Sequence, residues 1–215
     1  MDNIVAKPPV RPCLSVVVNS GLSLRITLPI FFLLVSVFAL TPAISLADVP
    51  QPEGYRMELY DDAVPAGLDG ATRVTAVEVK RLQETANAVV VDVIPEHRKP
   101  DYLPENQIWI PVPHRGVPGA IWLPDTGFGV LSDVTESYFK RHISDATQGK
   151  LDHPIIFYCR IDCWMSWNAA KRALSYGYTN VYWFADGIED WQFEGFEFAI
   201  LTAAEGQRQV EPNEN

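Results

Sequence analysis

Short apolar runs alternate with amphipathic stretches along most of the chain. Residues 88–93 (AVVVDV) are rich in β-branched side chains, and residues 154–158 (PIIFY) and 181–184 (VYWF) are also apolar. Such runs are typical of strands that are buried on both faces of a parallel sheet. Helical spacing lies between them, so the order of elements predicts an α/β fold with a twisted, mainly parallel sheet flanked by helices.

Capping signals place the helices between these strands. Thr75 and Glu78 have the spacing of a capping box in front of a helix over about residues 76–86. Ser132 can cap a second helix over about residues 133–147. A third helix is predicted after the strand at 154–158 and a short loop, and it ends at Gly177. Residues Ile188 to Trp191 are expected to begin a last short helix.

Prolines break this rhythm between residues 95 and 113, which predicts a long surface loop of the kind that is often functional. His97 and His114 flank the loop and could turn toward the cysteine crevice, but a surface position is expected for both. The segment GVPGAIWLP, which begins at Gly116, is expected to form a tight turn that leads into a short strand.

Composition divides the chain into four segments. Residues 26–40 are apolar and uncharged behind Arg25, and small residues lead up to Ala47. We therefore expect a signal peptide over residues 1–47, cleavage after Ala47 and a periplasmic protein. The apolar run is shorter than the about 20 residues that span a bilayer, so no stable membrane span is expected after cleavage. The remaining segments are an irregular N-terminal segment at 48–73, an α/β domain at 74–200 and a polar tail at 201–215.

The balance of charge excludes one class of partner. The chain has 27 acidic and 17 basic residues, a formal net charge of −10 at pH 7. Nucleic acids are polyanions that are bound through lysine and arginine side chains, so nucleic acid is excluded as a partner.

The two cysteines that follow residue 47 lie in one loop. Cys159 comes directly after a predicted buried strand, and Cys163 stands where a helix is expected to begin. In an open parallel sheet such a loop lies beyond the carboxyl ends of the strands, where ligands bind. Backbone N–H groups and a helix N-terminus stabilise a thiolate there. Cys159 is therefore the predicted nucleophile, and Cys163 is predicted to resolve a persulfide or sulfenate on it.

Arg160 and Trp164 are predicted to bind the substrate, Arg160 by orienting an anion and Trp164 by flooring an apolar pocket. Two alternatives stay open. Two thiolates with Met165 nearby suit Cu(I), which would make the protein a copper- or redox-cofactor-binding module. In the other alternative Cys159 and Cys163 form a static disulfide in a non-catalytic interaction domain, although closing so small a loop adds little stability.

The run at 157–191, FYCRIDCWMSWNAAKRALSYGYTNVYWFADGIEDW, resembles the active-site loop, helix, strand and final Gly-Ile-x-x-Trp element of rhodanese-like domains. The upstream segments VVVDV and GVPGAIWLP are similar to two further signatures of that family. The resemblance implies a rhodanese-like fold in which Cys159 carries a persulfide. Trp164 stands where such loops usually end in an arginine that holds an anionic substrate, and Ile94 and Gly116 replace a usual arginine and histidine.

A narrower resemblance concerns the cysteine loop itself. Cys159-x-x-x-Cys163-Trp164, followed by MSWNAAKRA, is similar to an exported bacterial family named for its cysteine-cysteine-tryptophan motif. That family is associated with alcohol catabolism by dehydrogenases that depend on pyrroloquinoline quinone (PQQ). The resemblance implies an accessory role in this oxidation, with a periplasmic PQQ-dependent dehydrogenase or its cytochrome as partner.

Overall fold

The computed structural model describes residues 49–206, so the predicted signal peptide and the end of the predicted tail lie outside the described residues. This part of the chain contains four helices and seven strands. In chain order they are β1 (Ala71–Arg73), α1 (Ala76–Ala86), β2 (Val89–Asp92), β3 (Arg115–Gly116), β4 (Ile121–Trp122), α2 (Asp133–Ala146), β5 (Ile155–Tyr158), α3 (Trp164–Ser175), β6 (Val181–Phe184), α4 (Gly187–Phe193) and β7 (Ala199–Ile200).

A parallel sheet of five strands forms the centre, in the order β1-β6-β5-β2-β4. The predicted α/β architecture is therefore confirmed. β5 lies between β2 and β6 and is buried along its whole length. In register, Tyr158 at the end of β5 pairs with Asp92 of β2 and Phe184 of β6. The residue that follows Tyr158 therefore emerges at the centre of the carboxyl edge of the sheet.

Local sequence signals determine the helix ends. Thr75 and Glu78 form the predicted capping box in front of α1, and the Ser132 hydroxyl group accepts the Thr135 N–H in front of α2. α3 and α2 contribute to one packed layer, since Phe139 of α2 contacts both Phe157 of β5 and Tyr176 after α3. None of the helices within residues 49–206 is long and apolar enough to cross a membrane.

A second, two-stranded antiparallel sheet joins β3 to β7 and brings the C-terminal segment back to the main sheet. Beyond β7, the Leu201 N–H donates to the His114 carbonyl (2.9 Å) and the Ala204 N–H donates to the Trp122 carbonyl (2.9 Å). The first residues of the predicted polar tail are thus hydrogen-bonded to the loop before β3 and to β4.

Residues 49–70, which we call the N-terminal strap, contain no helix and run along α3. Asn168 of α3 holds the strap at one residue in two ways: its Oδ1 accepts the Arg56 N–H and its Nδ2 donates to the Arg56 carbonyl, both at 2.9 Å. Farther along, Trp167 Nε1 donates to the Gly67 carbonyl. The segment predicted to be an irregular surface lead-in is irregular, but side chains of α3 fix its path.

Candidate active site

The cysteine loop connects β5 to α3. Cys159 follows the last residue of β5, and Cys163 is the N-cap residue of α3. Between them, Asp162 has a left-handed backbone conformation (φ 51°), which turns the chain back toward the helix. This placement puts Cys163 at the positive end of the α3 dipole, a position that favours a thiolate.

α4 supports the loop from the opposite side. The Ile188 N–H donates to the Cys159 carbonyl at 3.0 Å. Gly187 (φ 59°) lies so close that an added Cβ would be 2.4 Å from the Cys159 carbonyl oxygen, so no other residue fits without displacing the loop. Farther along, a carboxylate oxygen of Glu189 accepts the Ile161 N–H at 2.7 Å. The Gly-Ile-x-x-Trp element thus fixes the position of the first cysteine.

Cys159 and Cys163 are both free and are hydrogen-bonded to each other. The hydrogen bond from Cys159 lowers the pKa of the Cys163 thiol, and the Met165 N–H, which also donates to Cys163, adds to the effect. Burial raises the pKa of Cys159 well above its usual value, and the contact with Cys163 raises it further. Cys163 is therefore the first of the two thiols to lose its proton, and Cys159 is the one that keeps it.

The strap closes the site. Cys159 is 0% exposed and Cys163 is 1% exposed. Asp61 forms an antiparallel bridge with Cys163. On either side of this bridge, the Trp164 N–H donates to the Tyr60 carbonyl (2.8 Å) and the Asp62 N–H donates to the Asp162 carbonyl (3.0 Å). The sequence predicts a thiol at an open crevice, whereas here the crevice is covered by a segment that precedes the first strand.

Arg160, one of the two predicted substrate-binding residues, is paired within the protein. Its Nη2 donates to both carboxylate oxygens of Asp61, at 2.9 and 3.0 Å. The arginine and aspartate side chains remain 48% and 65% exposed. The guanidinium group thus lies at the rim of the site, and a carboxylate of the strap is bound where an anionic substrate was expected.

Trp164, the other predicted substrate-binding residue, is 1% exposed. Its Nε1 donates to the Ala63 carbonyl (3.1 Å), and the guanidinium group of Arg56 lies 5.0 Å from the centre of its ring. Trp164 is one of the residues that line a cavity of about 430 Å³. The other residues around this cavity belong to the strap, among them Val49, Pro50, Tyr55 and Met57.

A copper site would have few ligands. Among residues 49–206, no group of three or more His, Cys, Asp or Glu side chains could hold a metal ion. The available soft donors are therefore the thiols of Cys159 and Cys163 and the thioether of Met165, which is 6% exposed at the start of α3.

Buried polar residues next to the loop were not predicted from the sequence. Asp92 is fully buried. Its Oδ2 accepts the Tyr158 hydroxyl group at 2.5 Å and lies 2.8 Å from His114 Nε2. Burial, followed by the charge of Asp92, raises the pKa of Tyr158 well above its usual value. The expectation of a surface position for His114 is wrong, since its side chain is 8% exposed and its ring stacks on Trp122, with centroids 3.9 Å apart.

Gly116 explains this arrangement. An added Cβ there would lie 2.7 Å from the Tyr158 hydroxyl oxygen and 3.0 Å from Oδ2 of Asp92. The space that a side chain would need is thus filled by the Tyr158–Asp92 hydrogen bond, and His114 reaches Asp92 from two residues upstream. The glycine at a position where rhodanese-like domains usually have histidine, with a histidine two residues before it, is the sequence signal that marks this shift.

Comparisons with known proteins assign this chain to one family. The sequence model of the rhodanese-like domain matches residues 75–194. No protein with curated annotation matches significantly. Similar solved structures include the thiosulfate sulfurtransferase of Pseudomonas aeruginosa (17% identity, TM-score 0.42, covering 62% of this chain and 21% of that one). A polysulfide-sulfur transferase of Wolinella succinogenes is also similar (16% identity, TM-score 0.39, covering 60% of this chain and 79% of that one). So is a rhodanese-like domain of Anabaena (15% identity, TM-score 0.39, covering 69% of this chain and 96% of that one). Because the family match covers more than half of the chain, the protein belongs to the rhodanese-like domain family.

Proposed function

We propose that the protein transfers sulfane sulfur through a two-thiol couple, in which Cys159 is the nucleophile and Cys163 the resolving thiol. The observation that carries this proposal is the hydrogen bond between two free thiols with opposite pKa shifts. A thiolate in contact with a thiol is a base in place, so the pair can activate its own nucleophile without a histidine.

Sulfur transfer from a persulfide donor then proceeds in balanced steps. The Cys163 thiolate accepts the Cys159 proton as Cys159 attacks the outer sulfur of R–S–SH, which gives Cys159–S–SH and releases R–S⁻. The departing thiolate then takes that proton from Cys163 and leaves as R–SH. The backbone N–H of Arg160 donates to the Cys159 sulfur. Together with the α3 N-terminus, it stabilises the negative charge on that sulfur. An acceptor thiol can take the outer sulfur. Alternatively, Cys163 attacks the Cys159 sulfur, releases hydrosulfide and leaves a disulfide that an external dithiol reduces.

Intact-mass measurement tests the proposal. The isolated protein is incubated with a persulfide donor, and the gain of one sulfur atom is located by peptide mapping. We expect the adduct in the wild type and its loss in Cys159→Ser. In Cys163→Ser we expect an adduct that forms more slowly and lasts longer, because that variant lacks both the base and the resolving thiol. An adduct that survives Cys159→Ser would reverse the two roles, and no adduct with any sulfane donor would disprove sulfur transfer.

Cu(I) binding is the second candidate function. Two thiols in direct contact supply the soft ligands that Cu(I) prefers, and the Met165 thioether is adjacent in the sequence. Stoichiometric Cu(I) binding that is lost in either cysteine variant would support this function.

We further propose that the protein works in the periplasm as an accessory to PQQ-dependent alcohol oxidation. The supporting observations are the apolar run at 26–40 with Ala47 after it, and the Cys-x-x-x-Cys-Trp run at 159–164. Cell fractionation with N-terminal sequencing tests export, with Asp48 expected as the first residue. Slower growth of a deletion strain on alcohols, restored by the wild-type gene and not by Cys159→Ser, would support the pathway.

A further inference from the structure

The loop that holds the cysteines has two obvious groups for binding an anion, and a carboxylate of the protein occupies each of them. Arg160 Nη2 binds both oxygens of Asp61. The Ile161 N–H donates to Glu189 at 2.7 Å. A small anion that approaches Cys159 therefore meets a cation and an N–H group that are already paired.

An exposed ion pair such as Arg160–Asp61 contributes little to stability by itself, because water and salt screen it. Here, however, the backbone holds the carboxylate in place. The residues on both sides of Asp61 are hydrogen-bonded to the cysteine loop through the Tyr60 carbonyl and the Asp62 N–H, at 2.8 and 3.0 Å. Because the carboxylate is tethered, its effective concentration at the guanidinium group exceeds that of a dissolved anion.

The same carboxylate also acts on the sulfur electrostatically. The charge of Asp61 raises the pKa of Cys163, whereas the charge of Arg160 lowers it, so both groups lie within electrostatic range of the thiolate. Glu189 also contributes negative charge at Arg160. The closed site thus repels a second anion near the sulfur pair.

We propose that Asp61 is a specificity-determining residue that occupies the Arg160 anion subsite and excludes small dianionic sulfur donors such as thiosulfate. This inference rests on the proposed sulfur transfer and names the class of donor that the site rejects. The donors it admits are persulfides without a further negative group. The residue responsible lies in the strap, before residues 75–194 that match the family.

The excluded reaction is chemically balanced. Cys159, after giving its proton to Cys163, would attack the outer sulfur of thiosulfate, a Cys159 persulfide would form, and sulfite would leave with the electron pair of the broken S–S bond. Sulfite and thiosulfate are both dianions, so a free cation beside Cys159 would assist the attack and the departure. With Asp61 bound to Arg160, this assistance is missing.

Alkylation of the cysteines tests the electrostatic part without any sulfur donor. Iodoacetate and iodoacetamide differ in one negative charge, so the ratio of their rates reports exclusion of anions, while the iodoacetamide rate reports opening of the strap. We expect Asp61→Asn to raise the iodoacetate-to-iodoacetamide ratio severalfold, because the substitution removes a negative charge and frees the Arg160 guanidinium group. Asp62→Asn is the matched control, because the Asp62 side chain pairs with Arg56 instead.

A ratio that is unchanged in Asp61→Asn, even if both rates rise together, would overturn the inference, since the strap would then be only a cover. A ratio that rises equally in Asp62→Asn would also overturn it, because any acidic residue of the strap would then exclude anions as well as Asp61 does. A comparison of two sulfur donors, thiosulfate and the persulfide of 2-mercaptoethanol, completes the test. Asp61→Asn should form the Cys159 persulfide from thiosulfate faster than the wild type does, and its rate with the other donor should be unchanged. If no donor loads any variant while the alkylation ratio still shifts, the proposed sulfur transfer fails and the anion exclusion stands.

Discussion

The Tyr158 hydroxyl group lies 2.5 Å from Oδ2 of Asp92 and donates to it, and the same tyrosine oxygen accepts the Val117 N–H at 3.0 Å. This hydrogen bond joins the ends of β5 and β2 beside the loop that begins at Cys159. It also supplies a hydrogen-bond donor to the carboxylate of Asp92, which is fully buried and has no access to water.

Tyr158→Phe should therefore destabilise the protein although it removes a single oxygen atom. The substitution takes a donor from Asp92 and an acceptor from the Val117 N–H. We expect a loss of about 1–3 kcal/mol in the free energy of unfolding, since buried groups are left unsatisfied. Urea denaturation measures it. Tyr182→Phe is the control, because Tyr182 is the partly exposed residue of β6, and an equal loss there would contradict the explanation.

Gly116→Ala should be costly for a steric reason. Its Cβ would lie 2.3 Å from Leu201 Cδ1 and 2.7 Å from the Tyr158 hydroxyl oxygen. We expect destabilisation by about 1–3 kcal/mol, the usual range for overpacking, measured as a lower midpoint in urea. Gly67→Ala is the matched control, because an added Cβ there meets nothing within 4 Å. Similar midpoints for the two variants would show that the segment around β3 relaxes freely.

The reactivity of the cysteine pair should depend on pH through Cys163. Its pKa is lowered by the hydrogen bond from Cys159, so the thiolate persists below the usual thiol pKa and is lost as the pH falls through the lowered value. Cys159→Ala removes the donor, and we expect the pKa of Cys163 to rise. Thiolate absorbance in the ultraviolet, followed against pH, measures both values. An unchanged titration in Cys159→Ala would show that the thiol pair does not set the pKa.

Asn168→Ala should open the strap. The substitution removes the hydrogen bonds with the Arg56 N–H and carbonyl and with the Gly127 carbonyl. Because each bond contributes on the order of 1 kcal/mol, we expect faster iodoacetamide labelling of Cys159 and Cys163 and faster hydrogen exchange at Arg56. Asn180→Ala is the control, since the Asn180 amide donates to the carbonyl of Asp152, which is not part of the strap. Unchanged labelling in Asn168→Ala would mean that α3 does not hold the site closed.

Local signals explain why much of the fold could be predicted from the sequence. The Thr75–Glu78 capping box and the apolar strand before Cys159 act over a few residues, and both predictions are confirmed. The pairing of Asp61 with Arg160 could not be predicted, because it joins distant parts of the chain and the strap has no periodic pattern. The prediction that His114 lies at the surface was wrong for a related reason: its side chain contacts Asp92 of β2, and the position of His114 beside the proline-rich loop does not reveal that contact.

The close approach of Gly187 to the Cys159 carbonyl has a consequence for truncation. Both cysteines precede α4, so a shortened chain that ends before residue 187 would still contain the complete Cys-x-x-x-Cys-Trp sequence. It would nevertheless lack the Ile188 N–H that holds the carbonyl in place. Chemistry assigned to the motif is therefore encoded partly by residues downstream of it, and a peptide of the motif alone is a poor substitute for the folded protein.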